Sequence, residues 1–382
     1  MVDGGYGRKT MIKKVFWCTN CLNMSTRPRI SFDSRGWCNA CQWMEEKKIM
    51  DWSARQKDLD DLLNKFRSEN NSFDCLVPVS GGKDGSYVAY QLKHKYRMNP
   101  LTVTVRPDLS LEIGDKNLNN FINSGYNHIH ISPDPKIMRR FNKFGLVEKG
   151  FPYYGWLTAI FTSVIRIALN YKIPLIFYGE DGEVEYGGST KNKNKALFDV
   201  KYIKNVYLED GYDKVLNLFK NEESASLYFW QLPSDSEFSG NNISLTHWGY
   251  FEPWDSYRNY LVAKDKCNLQ EIEEGNTGTF TNFAQNDQAL CSLHYYLMYL
   301  KFGFGRATQD AGIEIRRGAM TRDQALNLIS LYDGIYPEDL IPLFLDYYEM
   351  NKEEFDLVID KWVNKDLFEK KDGLWSPKFT VE

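Results

Sequence analysis

Seven consecutive residues, Ser80 to Ser86, have the types and spacing needed to hold phosphate groups. They read Ser-Gly-Gly-Lys-Asp-Gly-Ser and follow an apolar run at 73–79 that predicts a buried strand. The apolar spacing from Tyr87 to Leu92 predicts a helix directly after them. Glycine lets the backbone approach a ligand closely, and the unpaired amides at the start of a helix favour an anion. The segment therefore predicts a nucleotide site at a strand–turn–helix junction.

The chemistry expected of this turn follows from its residue types. Ser80 and the amides of Gly81 and Gly82 can hold phosphate oxygens, and Lys83 adds a positive charge. Asp84 would repel bare phosphate, so its presence predicts a bridging Mg²⁺, which prefers carboxylate and phosphate oxygens. Such groups stabilise the charge of a phosphorus-centred transition state. The turn is neither a Walker A motif nor a Gly-x-Gly-x-x-Gly dinucleotide fingerprint.

A second candidate is an acidic segment at 179–188, directly after another predicted strand. Its four acidic residues are Glu180, Asp181, Glu183 and Glu185, and they lie between glycine turns. Carboxylates there could hold Mg²⁺ or bind an amine or hydroxyl of a substrate. The alternative is an ordinary solvated loop. We favour function, because this loop leaves the predicted sheet at the same edge as the first turn, and loops on a rigid scaffold often carry function.

Two arginines near the C-terminal third form a third candidate. Arg306 follows a Gly-Phe-Gly sequence, and Arg316 lies ten positions further along the chain. A guanidinium group matches carboxylate or phosphate, so both residues suit an anionic substrate. The alternative is a helix end with surface arginines. The nearby sequence 321–324 predicts a capping box, which is a structural feature.

Four of the seven cysteines form two Cys-x-x-Cys pairs, Cys18 with Cys21 and Cys38 with Cys41. Sixteen residues separate the pairs, a spacing that predicts a tetrahedral Zn²⁺ ribbon with a structural role. Two disulfides or an iron–sulfur cluster are the alternatives, and a reducing compartment disfavours the disulfides. The other three cysteines are expected to be thiols without a site.

The middle of the chain alternates strands and helices, which predicts an α/β fold with a parallel sheet and helices on both faces. Ligands of such sheets lie beyond the carboxyl ends of the strands. The predicted strands are 73–79, 100–105, 128–131 and 174–178, and the predicted helices include 117–124 and 156–170. The predicted domains are a ribbon at 1–44, a linking helix at 45–72, a nucleotide domain at 73–205 and a mainly helical region at 206–382.

Composition limits the class of protein. The chain has 382 residues, of which 26% are charged, and its net charge is −4, which argues against a large nucleic-acid surface. The first seven residues lack the apolar segment of a signal peptide, and no apolar run approaches the ~20 residues of a membrane span. We therefore expect a cytoplasmic protein.

The turn at Ser80 resembles the PP-loop of the N-type ATP pyrophosphatases, which release pyrophosphate from ATP and form AMP. The usual last Ser or Thr of that loop is Gly85 here, with Ser86 next. Together with the cysteine ribbon, the 179–188 segment and the sequence around Gly303, Gly305 and Arg306, the loop resembles the N-acetyl sugar amidotransferase family over nearly the whole chain. Gly85 fits this family although it departs from the wider superfamily.

The resemblance implies an adenine nucleotide alpha hydrolase-like fold and an enzyme that converts an acetamido group of a bacterial surface-glycan sugar to an acetamidino group. The implied sugars are nonulosonic acids, such as pseudaminic or legionaminic acid, as in flagellin glycosylation, or UDP-linked sugars of O-antigen and lipopolysaccharide biosynthesis. The implied cofactors are ATP, Mg²⁺ and Zn²⁺.

The resemblance also implies a role for each candidate residue. The implied catalytic residues are Lys83, Asp84, Glu180 and Glu185. Residues implied to bind ATP are Ser80, Gly81, Gly82, Lys83, Asp84, Gly85, Ser86, Thr104, Arg106, Gly179, Glu180 and Asp181. Residues implied to bind the substrate are Glu185, Tyr186, Arg306 and Arg316.

Ammonia needs a source, and none of the cysteines is placed as a glutaminase nucleophile. The resemblance implies a separate glutaminase and a cyclase-like subunit that channels ammonia, although free ammonia would also serve. No nucleic-acid or membrane partner is expected. Two alternatives stay open at this point. One is a PP-loop tRNA-modifying enzyme that forms thiolated bases or lysidine, and the other is a zinc-ribbon interaction protein with an inactive nucleotide fold.

Overall fold

The computed structural model describes residues 15–70, 72–208, 212–219, 224–238, 243–273 and 277–381. The sequence-based expectations for residues 1–14 lie outside this range. The helices are α1 (Asn39–Ile49), α2 (Trp52–Phe66), α3 (Lys83–Tyr90), α4 (Glu112–Asn123), α5 (Pro135–Lys149), α6 (Tyr154–Asn170), α7 (Gly182–Tyr186), α8 (Val200–Tyr202), α9 (Tyr212–Leu218), α10 (Asp235–Phe238), α11 (Ser256–Cys267), α12 (Leu290–Phe302), α13 (Arg306–Arg316), α14 (Arg322–Tyr332), α15 (Ile341–Tyr348) and α16 (Lys352–Trp362). The strands are β1 (Cys75–Pro78), β2 (Pro100–Val105), β3 (Asn127–Ile131), β4 (Leu175–Tyr178), β5 (Ser244–His247), β6 (Phe368–Lys371) and β7 (Leu374–Pro377).

Strands β1 to β5 form one parallel sheet in the order β3-β2-β1-β4-β5. The chain moves outward from β1 to β3 and then crosses back, so β1 and β4 are neighbours at the point where the strand order reverses. Open parallel sheets bind ligands in the crevice at this point. The two loops that follow β1 and β4, at Ser80 and Gly179, therefore flank the expected ligand site.

The predicted α/β fold with a parallel sheet is confirmed, and the four predicted strands are present within one to two residues. The structure adds a fifth strand, β5, which lies beyond residue 205, so the sheet continues into the region assigned from sequence to the helical C-terminal part. The predicted linking helix is two helices, α1 and α2, because the chain is extended at Met50 and the Asp51 side chain caps the start of α2. Helix α1 begins inside the ribbon, beside Cys38.

The sheet is covered on both faces by apolar residues. One face packs against α5 and α6, where Phe141 stacks on Trp230 at a ring distance of 5.4 Å. The other face packs against α2 and α3 and includes Trp248, which is fully buried. Burial of a large apolar side chain contributes about 1.5–3 kcal/mol. The two faces fix the positions of β1 and β4, and hence of the loops that follow them.

A third core joins the C-terminal helices to the rest of the chain. It is built mainly from α12, α15 and α16, but it also includes Met24 from the ribbon and Leu146 from α5. The ribbon and the C-terminal region are therefore packed together. Among the helices of the described residues, none has both the length and the apolar character needed to cross a bilayer.

Candidate active site

The turn after β1 has the backbone of an anion site. Gly81 adopts a φ of +85°, and a Cβ there would lie 2.4 Å from the backbone nitrogen of Leu118, so a side chain is excluded on two grounds. Gly82 is the N-cap of α3, and no side chain caps that helix end. The first amides of α3 are thus left to an incoming ligand.

A cavity of about 110 Å³ lies at this turn. Its walls are Ser80, Gly82, Lys83, Asp84, Gly85, Gly114, Asn117, Leu269, Phe283, Ala284, Gln285, Asn286 and Asp287. Lys83 forms an ion pair with Asp84, and the side-chain amide of Asn259 donates to the Asp84 carboxylate at 3.0 Å. A hydroxyl, an ammonium, a carboxylate and helix amides at one cavity fit a pyrophosphate group with Mg²⁺. Five predicted ATP residues are brought together here.

Glycine is required at position 85 for a steric reason. A Cβ at Gly85 would lie 2.7 Å from the carbonyl oxygen of Pro78, so only glycine lets α3 pack this closely on the end of β1. Ser86 is fully buried, and its hydroxyl has no hydrogen-bond partner among the described residues. The cavity wall includes Gly85 and not Ser86. A phosphate contact of Ser86 stays a prediction.

Two other predicted ATP residues lie at the carboxyl end of β2. The buried hydroxyl of Thr104 donates to the Val79 carbonyl, which ties β2 to the strand before the turn. Arg106 is exposed, and its backbone amide donates to the Ile131 carbonyl at 2.8 Å. Neither residue is among the described residues that line the cavity at Ser80. Their contact with adenosine stays a prediction.

A second cavity of about 240 Å³ lies on the other side of the loop after β4. It is lined by Ala40, Met44, Lys47, Lys48, Glu180, Glu185, Tyr186, Pro253, Trp254, Asp255, Ser256, Ile313, Arg316 and Arg317. These residues come from the ribbon helix α1, the acidic loop, the segment before α11, and α13. A Cβ at Gly179 would lie 3.0 Å from the Trp254 ring and 3.5 Å from the Asp84 Cβ, so wall residues of the two cavities meet at Gly179.

Glu180 lies at this junction. Its Oε1 accepts a hydrogen bond from the Tyr186 hydroxyl at 3.3 Å, and its side chain faces the second cavity. Burial and the neighbouring Asp84 carboxylate raise the pKa of Glu180 to about 7, while Lys83 acts in the opposite direction. A carboxyl group with such a pKa can accept or release a proton near neutral pH.

The other acidic residues of the loop are held by the protein. Glu185 accepts from the Trp43 indole at 2.8 Å and pairs with Lys47 at 2.8 Å. Glu183 pairs with Arg29 at 2.6 Å. Asp181 caps the first turn of α7.

Asp181 also accepts from the Tyr202 hydroxyl, and burial raises its pKa to about 6. The structure thus separates Glu180 from Glu185, which the sequence analysis treated alike.

The two candidate arginines also differ. Arg306 pairs with Asp310 at 2.8 Å and lies over the Tyr186 ring at 5.8 Å, and it is not among the described residues that line either cavity. Arg316 lines the second cavity and donates from Nη2 to the Glu185 carbonyl at 3.1 Å. The same guanidinium group also interacts with the Cys21 sulfur of the ribbon. Arg316, but not Arg306, is thus placed to meet a ligand.

Gly303 and Gly305, which precede Arg306, form the turn that leads into α13. The remote Asp333 carboxylate accepts from the amides of Gly305 and Ala307, at 2.8 and 2.9 Å, and from the Thr308 hydroxyl at 2.5 Å. A Cβ at Gly305 would lie 2.5 Å from Asp333 Oδ1. This motif therefore builds the N-terminus of α13. The predicted capping box at Thr321 is confirmed.

The four ribbon cysteines converge on one point. Cys18, Cys21, Cys38 and Cys41 are buried, and their sulfurs all lie within 4.8 Å of one another. The Cys18–Cys41 and Cys21–Cys38 sulfur distances are 3.7 and 3.5 Å, so no disulfide links them. Tetrahedral Zn²⁺ with bonds of ~2.3 Å needs sulfurs ~3.8 Å apart. The cluster fits one tetrahedral metal ion, and zinc remains a proposal. Cys75, Cys267 and Cys291 are buried thiols.

The ribbon is attached directly to the acidic loop. The Asn23 amide lies 3.4 Å from the Cys38 sulfur and donates to the Tyr186 carbonyl at 3.1 Å. Asn39 donates to the Gly188 carbonyl. With the contacts of Glu183 and Glu185, these bonds fix the second half of the loop to the ribbon. The order of the ribbon therefore affects the position of residues 183–188.

Sequence reasoning missed several residues in or behind the walls of the two cavities. Lys47 and Lys48 belong to the ribbon helix, Trp254 covers Gly179, and Asn259 orients Asp84. The one available signal was the spacing of Trp43 and Lys47, which puts both side chains on one face of a helix. Nothing in the sequence pointed to Trp254 or Asn259, because both reach the site through the tertiary fold.

One family model matches the C-terminal region of the chain. Residues 277–380 match the family described as LPS biosynthesis protein WbpG-like, C-terminal domain. This match covers α12 to α16 and the C-terminal hairpin of β6 and β7.

An uncharacterized protein of Methanocaldococcus jannaschii is 29% identical over 89 residues, which are 23% of this chain and 32% of that relative. The chain therefore spans about a third of that relative's length.

Two solved structures are similar to this chain at low identity. The tRNA thiolase NcsA of Methanococcus maripaludis, solved with its 4Fe-4S cluster, has a TM-score of 0.32 and 10% identity, and the match covers 70% of this chain and 79% of that one. NMN synthetase of Francisella tularensis has a TM-score of 0.28 and 14% identity, with 57% and 94% covered.

Proposed function

We propose that this protein is an ATP-dependent N-acetyl sugar amidotransferase of surface-glycan biosynthesis. It would convert an acetamido group to an acetamidino group through an O-adenylyl imidate, releasing pyrophosphate and AMP. The observation that carries the proposal is the meeting of two cavities at Gly179. One has the groups needed for a triphosphate, and the other has the polar and aromatic walls needed for a sugar. The match of the C-terminal domain to lipopolysaccharide biosynthesis proteins is consistent with this substrate class.

Activation is needed because an amide carbon is a weak electrophile and its oxygen is a poor leaving group. In the proposal, the amide oxygen attacks the α-phosphorus of ATP, and pyrophosphate leaves. The amides at Gly81 and Gly82, with Lys83, would hold the pyrophosphate oxygens as charge develops on them. Asp84, oriented by Asn259, would hold Mg²⁺, which neutralises phosphate charge when bound.

The second cavity would hold the sugar beside the α-phosphate. Trp254 gives an apolar wall for a sugar ring, and Arg316 places a guanidinium group in the wall of the same cavity. Lys48 adds a positive charge to the same wall. These cations suit an acidic sugar, either a nonulosonic acid or a UDP-linked sugar. Ammonia would come from a separate glutaminase through a cyclase-like subunit, or from solution.

The test is release of pyrophosphate from ATP by the purified protein with Mg²⁺ and an ammonium salt, against a panel of acidic N-acetyl sugars and tRNA. We expect release with an N-acetyl sugar, and we expect Asp84→Asn to lower it about 10²–10³-fold, because a charge-stabilising group is removed. Asp356→Asn, on the exposed face of α16, is a suitable control. Turnover triggered by tRNA alone would contradict the proposal.

A further inference from the structure

Among the described residues, Glu180 and Asp181 are the two carboxylates of the acidic loop that form no ion pair, and of these two only Glu180 lines the second cavity. Its carboxylate accepts a hydrogen bond from the Tyr186 hydroxyl and faces the cavity assigned to the sugar. Glu183 and Glu185, by contrast, form ion pairs with Arg29 and Lys47. Glu180 thus forms no salt bridge with a described residue and lies where the walls of the two cavities meet. Its carboxylate can therefore exchange a proton with a bound substrate.

The chemistry at this junction requires a proton acceptor. When ammonia attacks an imidate carbon, the new nitrogen carries a positive charge, and it must lose a proton before it can stay attached while the adenylyl oxygen leaves. We propose that Glu180 is the catalytic base that accepts this proton, an inference that rests on the proposed function. The Tyr186 hydroxyl would be a positioning group that holds the carboxylate toward the cavity.

The step balances as follows. The imidate keeps the proton of the amide nitrogen, so its nitrogen is protonated. The nitrogen of ammonia forms a bond to the imidate carbon, and the C=N electron pair moves to the sugar nitrogen. The Glu180 carboxylate takes one proton from the new ammonium group. The C–O bond to the adenylyl oxygen then breaks, AMP leaves with that electron pair, and an amidinium forms.

An alternative role for Glu180 is to hold Mg²⁺ with Asp84. The two roles predict different defects. A metal ligand acts in the first half-reaction, so its loss lowers adenylyl transfer. A base for ammonia acts only in the second half-reaction, so its loss leaves adenylyl transfer intact.

The test compares both half-reactions in full-length wild type and Glu180→Gln. The first is measured as sugar-dependent exchange of labelled pyrophosphate into ATP, and the second as amidine formation with ammonium chloride. We expect exchange within about threefold of wild type and amidine formation lowered about 10²–10⁴-fold, the usual contribution of a general base. Hydroxylamine loses a proton more easily than ammonia does once its nitrogen has attacked. With hydroxylamine in place of ammonia, the rate of the Glu180→Gln variant should therefore rise at least tenfold.

Glu271→Gln is the matched control, because Glu271 also accepts from a tyrosine hydroxyl, that of Tyr260, and lies outside both cavity walls. It should match wild type in both assays. Amidine formation that is unchanged in Glu180→Gln, or exchange that falls as far as amidine formation, would overturn the inference while leaving the proposed function in place. A wild type that shows no sugar-dependent exchange and no amidine would instead remove the proposed function, and the inference with it.

Discussion

Glu180 and Glu185 lie five positions apart in one loop, yet their surroundings are opposite. Glu180 lines the second cavity, and its carboxylate accepts from the Tyr186 hydroxyl, whereas Glu185 is fixed by an indole and an ammonium group of the ribbon helix. The first half of the loop follows β4 and belongs to the sheet edge where ligands bind. The second half is part of the attachment to the ribbon. The acidic composition of the loop thus serves two separate purposes.

The largest expected effect comes from removing one of the four cysteines of the ribbon, to which residues 183–188 are attached. Cys38→Ser should remove the metal ion and lower the free energy of unfolding by about 3 kcal/mol or more, because metal binding contributes directly to folding. Since the ribbon holds residues 183–188, amidine formation should fall at least about tenfold. Metal content, denaturant unfolding and hydrogen exchange of the loop would measure these changes.

Cys267→Ser is the control for this experiment, because Cys267 is a buried thiol outside the ribbon. It should keep the metal and the protection of the loop. A Cys38→Ser protein with full metal content and an unchanged loop would show that the ribbon does not support the site.

A smaller effect is expected for the stability of Glu180→Gln. Folding raises the pKa of Glu180 from its ordinary value of 4.5 to about 7, so the folded state favours the protonated form. Wild type therefore loses stability as the pH rises from about 4.5 to about 7. At pH 8 the variant should be more stable than wild type by about 1–3 kcal/mol, and the gain should vanish toward pH 4.5.

The charged groups that act on the pKa of Glu180 are Lys83, Asp84 and Glu185. Denaturant unfolding at several pH values would measure the difference. A variant less stable than wild type at pH 8 would mean that Glu180 is a structural residue like Glu185.

Glu185→Gln should act in the opposite direction. Loss of the charge weakens the contacts with Trp43 and Lys47 and should lower the free energy of unfolding by about 2 kcal/mol at pH 8. Asp360 of α16 offers a matched comparison, because it also accepts from an indole and from a lysine. Its partners are Trp375, at 2.7 Å, and Lys370, at 2.8 Å, both in the hairpin of β6 and β7.

Asp360→Asn should therefore also reduce stability, although less, since its partners are more exposed. Only Glu185→Gln should raise the KM for the sugar, because Glu185 lines the second cavity. An equal rise of the KM for the sugar in both variants would show that Glu185 has no special role in binding the sugar.

The smallest effect is expected for Arg29→Gln. The Arg29 side chain is 51% exposed, so its pair with Glu183 should contribute only about 0.5 kcal/mol. Thermal unfolding at low and high salt would measure this, and the difference should shrink at high salt. A loss above about 2 kcal/mol would show that this pair is a main attachment of the loop.

The strand–turn–helix at Ser80, the parallel sheet and the cysteine cluster could be predicted because each depends on local spacing. Buried strands are short apolar runs, and paired thiolates converge through their own turns. The separation of Glu180 from Glu185 could not be predicted, because it depends on Trp43, Lys47 and Tyr186 meeting in three dimensions.

The fifth strand was also missed. β5 has only four residues, Ser244–His247, and it lies in a part of the sequence without the alternation that marks the earlier strands. Arg306 was assigned to the substrate from its type alone. In the structure, the Arg306 side chain is held by an ion pair with Asp310 and by its contact with the Tyr186 ring.

The central claim, that ATP activates an amide oxygen at the junction of the two cavities, has one direct test. The N-acetyl sugar is prepared with ¹⁸O in its acetamido carbonyl and converted with unlabelled ATP and ammonia. The account predicts that one ¹⁸O atom appears in the phosphate group of AMP for each amidine formed, because that oxygen joins the α-phosphorus and leaves with it. AMP without the label, accompanied by amidine product, would contradict the account.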